Sequence, residues 1–244
     1  MKTALITGGS EGIGLAFAHY LSTKGYSLIL ASRTLARLQE ASAQLSTPCK
    51  VIPIDLSVPG SADRLYKDAG TVDLLVNCAG TGYTGISWQE DIASIERLIN
   101  LNDTACVSLC SLYLREMTMR RSGMIINVAS TGAFQPGPYI AAYYASKSFI
   151  ASYSKAIAIE ARQYDVKVVC LCPGPCDTGF YDKTHGIKPS FAMRPEEVVD
   201  YCMRHLHQTI IIPGAMNRLA LLAPLSLRTY FIHRSKRSQL KSNP

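Results

Sequence analysis

Short, continuously apolar runs alternate along the chain with longer stretches in which apolar residues recur every three or four positions. The runs at 4–7, 27–31, 51–54, 72–76, 124–128 and 167–171 show no polar alternation, the pattern of parallel strands covered on both faces. Between them, 13–24, 35–45, 61–69, 92–119 and 142–164 carry helical spacing. A further helix opens at Pro195-Glu196-Glu197, where proline suits the first turn and the acids suit the positive helix end. A seventh strand follows at 209–212. Strand and helix in alternation predict an α/β chain, one Rossmann-type domain built on a doubly wound parallel sheet. No repeat and no linker interrupts it.

Composition narrows the class. A length of 244 residues fits one α/β domain, and 48% hydrophobic with 18% charged residues excludes disordered, collagen-like and low-complexity chains. The eight cysteines fall mostly inside apolar runs, and the N-terminal run is too short before Gly8-Gly9 for a signal core, which together predict a reducing, cytoplasmic setting. Cys170-x-Cys172-xxx-Cys176 has no second pair and no nearby histidine, so no metal site is expected. No uncharged apolar stretch reaches spanning length.

Charge is uneven. Residues 201–244 hold seven Lys/Arg and no acid, whereas residues 1–200 balance 18 of each. A body of 1–214 is therefore expected to carry a basic, apolar tail at 215–244. In that tail 225–232 runs into His233-Arg234-Ser235-Lys236-Arg237, a pairing of apolar surface with cations that suits peripheral contact with an anionic membrane; a solvated tail or an oligomer contact is the competing expectation. Aromatic residues are too sparse among these cations to suggest nucleic-acid binding.

The first strand leads into Thr7-Gly8-Gly9-Ser10-Glu11-Gly12-Ile13-Gly14 at a helix start, a turn suited to close backbone approach and to anion binding by helix N–H groups. Its TGxxxGxG spacing resembles the cofactor turn of the short-chain dehydrogenase/reductase family, and the resemblance extends over about residues 3–214. It implies a seven-stranded sheet in the order 3-2-1-4-5-6-7 and a nicotinamide cofactor touched by Gly8, Ser10, Glu11, Gly12, Ile13 and Gly14. It further implies adenine contact at Asp55 and Leu56, and cofactor contact at Asn77, Ala79 and Gly80 in a motif where Cys78 replaces the usual second asparagine. Pro173, Gly174 and Thr178 are implied beside the nicotinamide. Arg33, after the small Ser32 at the end of the second strand, can grip a 2′-phosphate in bidentate fashion, which favours NADP(H). Glu11 opposes that preference, and NAD(H) stays open.

Tyr143-Tyr144-Ala145-Ser146-Lys147 sets Tyr143 and Lys147 on one helix face. Carbonyl reduction needs a proton donor for the developing alkoxide. An ammonium about 5 Å from the phenol at an effective dielectric near 20 contributes about 3 kcal/mol, a little over two pKa units. Lys147 is therefore expected to lower the Tyr143 pKa, and it is a candidate to hold the cofactor ribose. Ser130, 13 residues before Tyr143, can polarise the substrate oxygen, and the family shows the same interval. Asn102 matches the family's fourth catalytic member; Asn100 is a near neighbour, and Tyr144 is the alternative acid. The five histidines lack ligand spacing.

Candidate substrate residues are Tyr83, Phe134, Tyr139 and Phe180, with Gln135, Pro136, Tyr181 and Phe191 nearby, and a lid is expected over about 177–193. The absence of an arginine cluster among them argues for an apolar ketone or long-chain 3-oxo substrate. Ile212-Pro213-Gly214-xx-Asn217 resembles the end of the family's lipid- and steroid-handling branch. The resemblance thus implies an NADP(H)-dependent oxidoreductase acting on a carbonyl or secondary alcohol. Its rivals are a non-catalytic NADP(H)-binding regulator and a membrane adaptor working through the tail. Relatives commonly form homodimers or homotetramers, for which Cys106, Leu109, Leu112 and Tyr113 are the candidate face.

Overall fold

The computed structural model describes residues 1–183 and 189–242. Its strands are β1 (Thr3–Thr7), β2 (Ser27–Ser32), β3 (Cys49–Pro53), β4 (Leu74–Asn77), β5 (Gly123–Val128), β6 (Val166–Leu171) and β7 (Ile210–Ile211). They form one parallel sheet in the order β3-β2-β1-β4-β5-β6-β7. Because strand side chains alternate in direction, the apolar runs feed two cores at once. Leu5, Leu75, Ile125 and Val168 point to one side, where α3 (Ser61–Ala69), α5 (Ala105–Met119) and α6 (Ala141–Arg162) contribute Leu65, Tyr113 and Ile157. Ile6, Val76, Ile126 and Val169 point to the other, where α1 (Gly12–Thr23), α2 (Leu35–Ala43) and α8 (Pro195–Arg204) supply Phe17, Leu38 and Val198.

Where helical spacing predicts one helix over 92–119, the structure has α4 (Ile92–Ile99), a π-helical turn at Asn100–Thr104, and α5. The widened turn inserts one residue and so rotates the face presented to the core by about 100°. Asn102 and Asp103 are buried in it, while Leu109 and Tyr113 still reach the core. That placement corrects the expected oligomer face: Cys106, Leu109 and Tyr113 are buried inside this chain. Helical spacing of apolar residues marks whatever core a helix meets, and here the core is the chain's own. The exposed apolar side chains of α6 are instead Phe149 and Ile159.

Beyond β6 lie α7 (Phe180–Lys183) and, after β7, α9 (Ala215–Ala220) and α10 (Leu225–Ser242). The expected lid over 177–193 lies partly outside the described residues. Rather than trailing free, α10 is seated on the segment between β5 and α6. Arg228 Nη1 donates to the Phe134 carbonyl at 3.1 Å and to Gln135 Oε1 at 3.4 Å, and the His233 ring stacks on Tyr139 with centroids 5.5 Å apart. All eight cysteines are free thiols. Among the described residues no helix is long and apolar enough to cross a membrane.

Candidate active site

The turn after β1 is built by backbone touching backbone. A Cβ on Gly14 would lie 2.2 Å from the Gly8 carbonyl oxygen, and one on Gly8 would lie 3.0 Å from the Ala79 backbone. Thr7 holds the facing segment in register: its Oγ1 accepts the N–H groups of Cys78 at 3.0 Å and Ala79 at 3.1 Å. The residue before α1, Glu11, makes no side-chain cap bond. A helix start stripped of side chains and uncapped is the donor set a diphosphate requires, so these residues fit a dinucleotide.

A cavity of about 250 Å³ opens at the carboxyl ends of the strands, the place where doubly wound sheets bind ligands. Gly8, Glu11, Gly12, Ile13 and Gly14 line it, together with Ala79, Gly80, Pro173, Gly174 and Thr178. Ser10 is half-buried and does not. The same cavity takes in Ser130, Tyr143, Tyr144, Lys147 and Phe180, so a strand end, a helix and a loop converge on it. Tyr144 is wedged beside Gly132 and Gly137, where added Cβ atoms would meet its ring at 3.0 and 2.5 Å. Lys147 Nζ sits 5.7 Å from the Tyr143 ring centroid and donates to the Val128 carbonyl at 3.0 Å.

The electrostatic outcome differs from the expectation that Lys147 lowers the Tyr143 pKa. Burial pushes the phenol up to about 12, and a hydrogen bond with Ser130 only partly offsets it. Desolvation, which a Coulomb attraction alone does not contain, disfavours the phenolate of an enclosed tyrosine. Lys147 is itself enclosed, and burial holds its ammonium below the usual lysine value.

Asn102, not Asn100, reaches the site. Its Oδ1 accepts the Thr81 N–H at 2.9 Å, and its Nδ2 donates to the Thr81 carbonyl at 2.9 Å and to Ser146 Oγ at 3.0 Å. It therefore ties the segment after Gly80 to α6. Beside it Asp103 is buried with Oδ1 unpartnered, and burial raises its carboxyl to about 6 against the pull of Lys147. Asn77 is not among the residues that line the cavity. The β4–β5 register pairs it with Asn127, to which its Nδ2 donates at 2.9 Å, and Asn127 in turn donates to Ser154 at 3.0 Å. The Asn77 Oδ1 stays buried without a partner. Leu56, expected at the adenine, is core.

At the carboxyl end of β2 Arg33 is exposed. Burial works against the charge on Asp55, but hydrogen bonds from Ser57 and the Arg33 and Arg97 guanidiniums hold its carboxyl below the ordinary value. Glu11 is engaged by Arg37 at 3.3 Å. Arg37 escaped the sequence reading although it stands four residues after Arg33.

Of the substrate candidates, Phe180 lines the cavity, with its ring centroid 5.1 Å from that of Tyr143. Tyr83 packs on Gly85, Phe134 lies against the core with Lys155 Nζ 5.9 Å from its ring, and Tyr139 faces α10. Loop aromatics were assigned by sequence position alone, and packing decided which turned inward. The cavity residues outside the expected set include Ile140, Tyr144, otherwise the alternative acid, and Lys236 of α10.

Residues 2–186 match the family model described as short chain dehydrogenase. The chain is 33% identical over 187 residues to an uncharacterized oxidoreductase of Staphylococcus epidermidis, covering 75% of this chain and 81% of that one. It is 32% identical to a 3-ketodihydrosphingosine reductase of Bacteroides thetaiotaomicron, covering 73% of this chain and 65% of that protein. A short-chain dehydrogenase from Sphingobium yanoikuyae in complex with NADPH superimposes with a TM-score of 0.84 at 24% identity, covering 100% of this chain and 96% of the other. A Rossmann-type sheet with this site defines a class, the nicotinamide-dependent oxidoreductases. The chain belongs to the short-chain dehydrogenase family.

Proposed function

We propose that the protein interconverts a carbonyl and a secondary alcohol with NADP(H), residues 1–214 forming the catalytic body and 215–244 a cover. The observation that carries this reading is the convergence of Ser130, Tyr143, Lys147 and the glycine turn on one cavity. A bound nicotinamide supplies or accepts the hydride at the carbonyl carbon. Ser130 donates its hydroxyl to the carbonyl oxygen and polarises it. Tyr143, with a pKa of about 12, is protonated at neutral pH, the state required to protonate an alkoxide. It is still several units more acidic than an alcohol, taking water at about 16 as the guide, so the transfer runs downhill. Lys147 is fixed by Val128 where it can hold ribose hydroxyls, and Asn102 positions the segment carrying Gly80.

The substitution Tyr143→Phe tests the reading. Turnover of an apolar ketone should fall about 100- to 10,000-fold while NADPH binding persists. Unchanged turnover would sink the assignment, and binding without any wild-type turnover across a ketone panel would favour the non-catalytic regulator.

Ile140, Phe180 and Tyr181 give the cavity apolar walls, which supports an apolar ketone or long-chain 3-oxo substrate, as does the likeness to a 3-ketodihydrosphingosine reductase. Arg33 and Arg37 support NADP(H) over NAD(H), because Arg37 engages the Glu11 carboxylate that would otherwise repel a 2′-phosphate. Eight free thiols support a reducing, cytoplasmic setting. Exposed Leu222, Leu225, Tyr230 and Phe231 beside the tail cations support peripheral contact with an anionic membrane, and exposed Phe149 and Ile159 on α6 support contact between copies. Sedimentation with and without anionic vesicles reads both, since pelleting with lipid and a mass above 26.6 kDa without it are separate outcomes.

A further inference from the structure

We propose that Lys236 binds the anionic end group of the substrate, a carboxylate or a phosphate ester at the far end of an otherwise apolar ketone, so that α10 completes the substrate site. This rests on the carbonyl chemistry proposed for the same cavity. Lys236 is 93 residues from Tyr143 in the chain, yet both line that cavity. Its Nζ donates to the neutral Gln239 Oε1 at 3.1 Å, and among the described residues no carboxylate pairs with it. Burial holds its ammonium below the usual lysine value, the mark of a cation taken partly out of water without a counter-charge. Such a group gains most from an anion brought in by a ligand.

The seat of α10 decides which ligand. Arg228 fastens it to Phe134 and Gln135, and His233 stacks on Tyr139. Those residues belong to the connection that leaves β5 through Ser130, on the substrate side of the cavity. Arg33 follows β2, and the glycine turn lines the same cavity from the end of β1, on the opposite side of β4 from β5. The cavity that Lys236 shares with the reacting groups also takes in Ile140, Tyr144, Phe180 and Tyr181. An apolar chain with its carbonyl at Tyr143 and its charge at Lys236 fits that lining.

The test is the ratio of kcat/KM for a long-chain keto acid, carboxylate at the end remote from the ketone, to that for its methyl ester, with NADPH and the full chain. The wild type should favour the acid about 10- to 100-fold, the worth of one charge-assisted hydrogen bond. K236Q should bring the ratio close to one, and K236R should retain most of it. An equal rate for acid and ester in the wild type, or a ratio that survives in K236Q, overturns the proposal. So does a weakened NADPH affinity in K236Q, which would place the ammonium on the dinucleotide phosphates. Were neither ketone reduced by the wild type, the carbonyl reading would fail by itself. Calorimetric titration of acid and ester into the NADPH-saturated protein would then decide the role of Lys236 by the same ratio, lost in K236Q or not.

Discussion

Replacing Gly14 with alanine probes the contact on which the dinucleotide reading depends. The new Cβ would lie 2.2 Å from the Gly8 carbonyl oxygen and 2.8 Å from its carbon, where ordinary contact begins at 3.4 Å. Both obstacles are backbone and cannot swing aside, so α1 must withdraw from β1 by about 1 Å. Overpacking of this kind costs about 1–3 kcal/mol and lowers Tm by about 2–12 °C in a chain of this size. The same retreat carries the uncapped N–H groups of α1 away from the cavity. Losing one charge-assisted hydrogen bond to a diphosphate weakens binding about 10- to 100-fold. Gly9→Ala is the comparison, because its Cβ meets the movable Leu30 Cδ2 at 2.9 Å and should be milder. NADPH fluorescence titration and thermal melting read the two effects separately. A Kd within twofold of wild type and an unchanged Tm would refute the geometry; a lowered Tm with an unchanged Kd would mean that the turn packs without holding the dinucleotide.

Two further outcomes are expected. Asp103, whose carboxyl is raised by burial to about 6 from 3.8, favours its protonated form in the fold, so stability is lost as pH rises from about 4 through about 6. Asp103→Asn removes that loss, and its gain in unfolding free energy should grow from pH 4.5 to pH 7.5 by about 1–2 kcal/mol, discounted for residual solvent access; a gain that is flat or larger at the acid end contradicts this. The double substitution Arg33→Ala with Arg37→Ala should raise KM for NADPH about 10-fold or more with little change for NADH, and equal shifts for both would remove the argument for a 2′-phosphate grip.

Much of the site was legible in the sequence because its parts are local. The glycine turn is one loop, and Tyr143 and Lys147 are one helical turn apart. Strand faces follow a period of two whatever the surroundings, which is why both cores could be read from apolar runs. The helical spacing over 92–119 was equally clear, yet the π-turn within it was not. That turn is stabilised by Asn102 bonding to Thr81 and Ser146, 21 and 44 residues away, and local propensity contains neither. The aromatic candidates divide for a related reason. Tyr83, Phe134 and Tyr139 stand in suitable loops but pack beside Gly85, Lys155 and His233, while Phe180 and Tyr181 line the cavity.

By itself the chain's order of residues determined the layered sheet, the phosphate turn and the serine, tyrosine and lysine of the site, since these follow from periodicity and short-range spacing. Tertiary structure alone decided three things: that burial outweighs the neighbouring ammonium at Tyr143, that the Asn77 amide group donates to Asn127 on the next strand, and that a cation from the tail lines the cavity. Desolvation and long-range contact are properties of the surroundings a fold creates, and no local pattern encodes them.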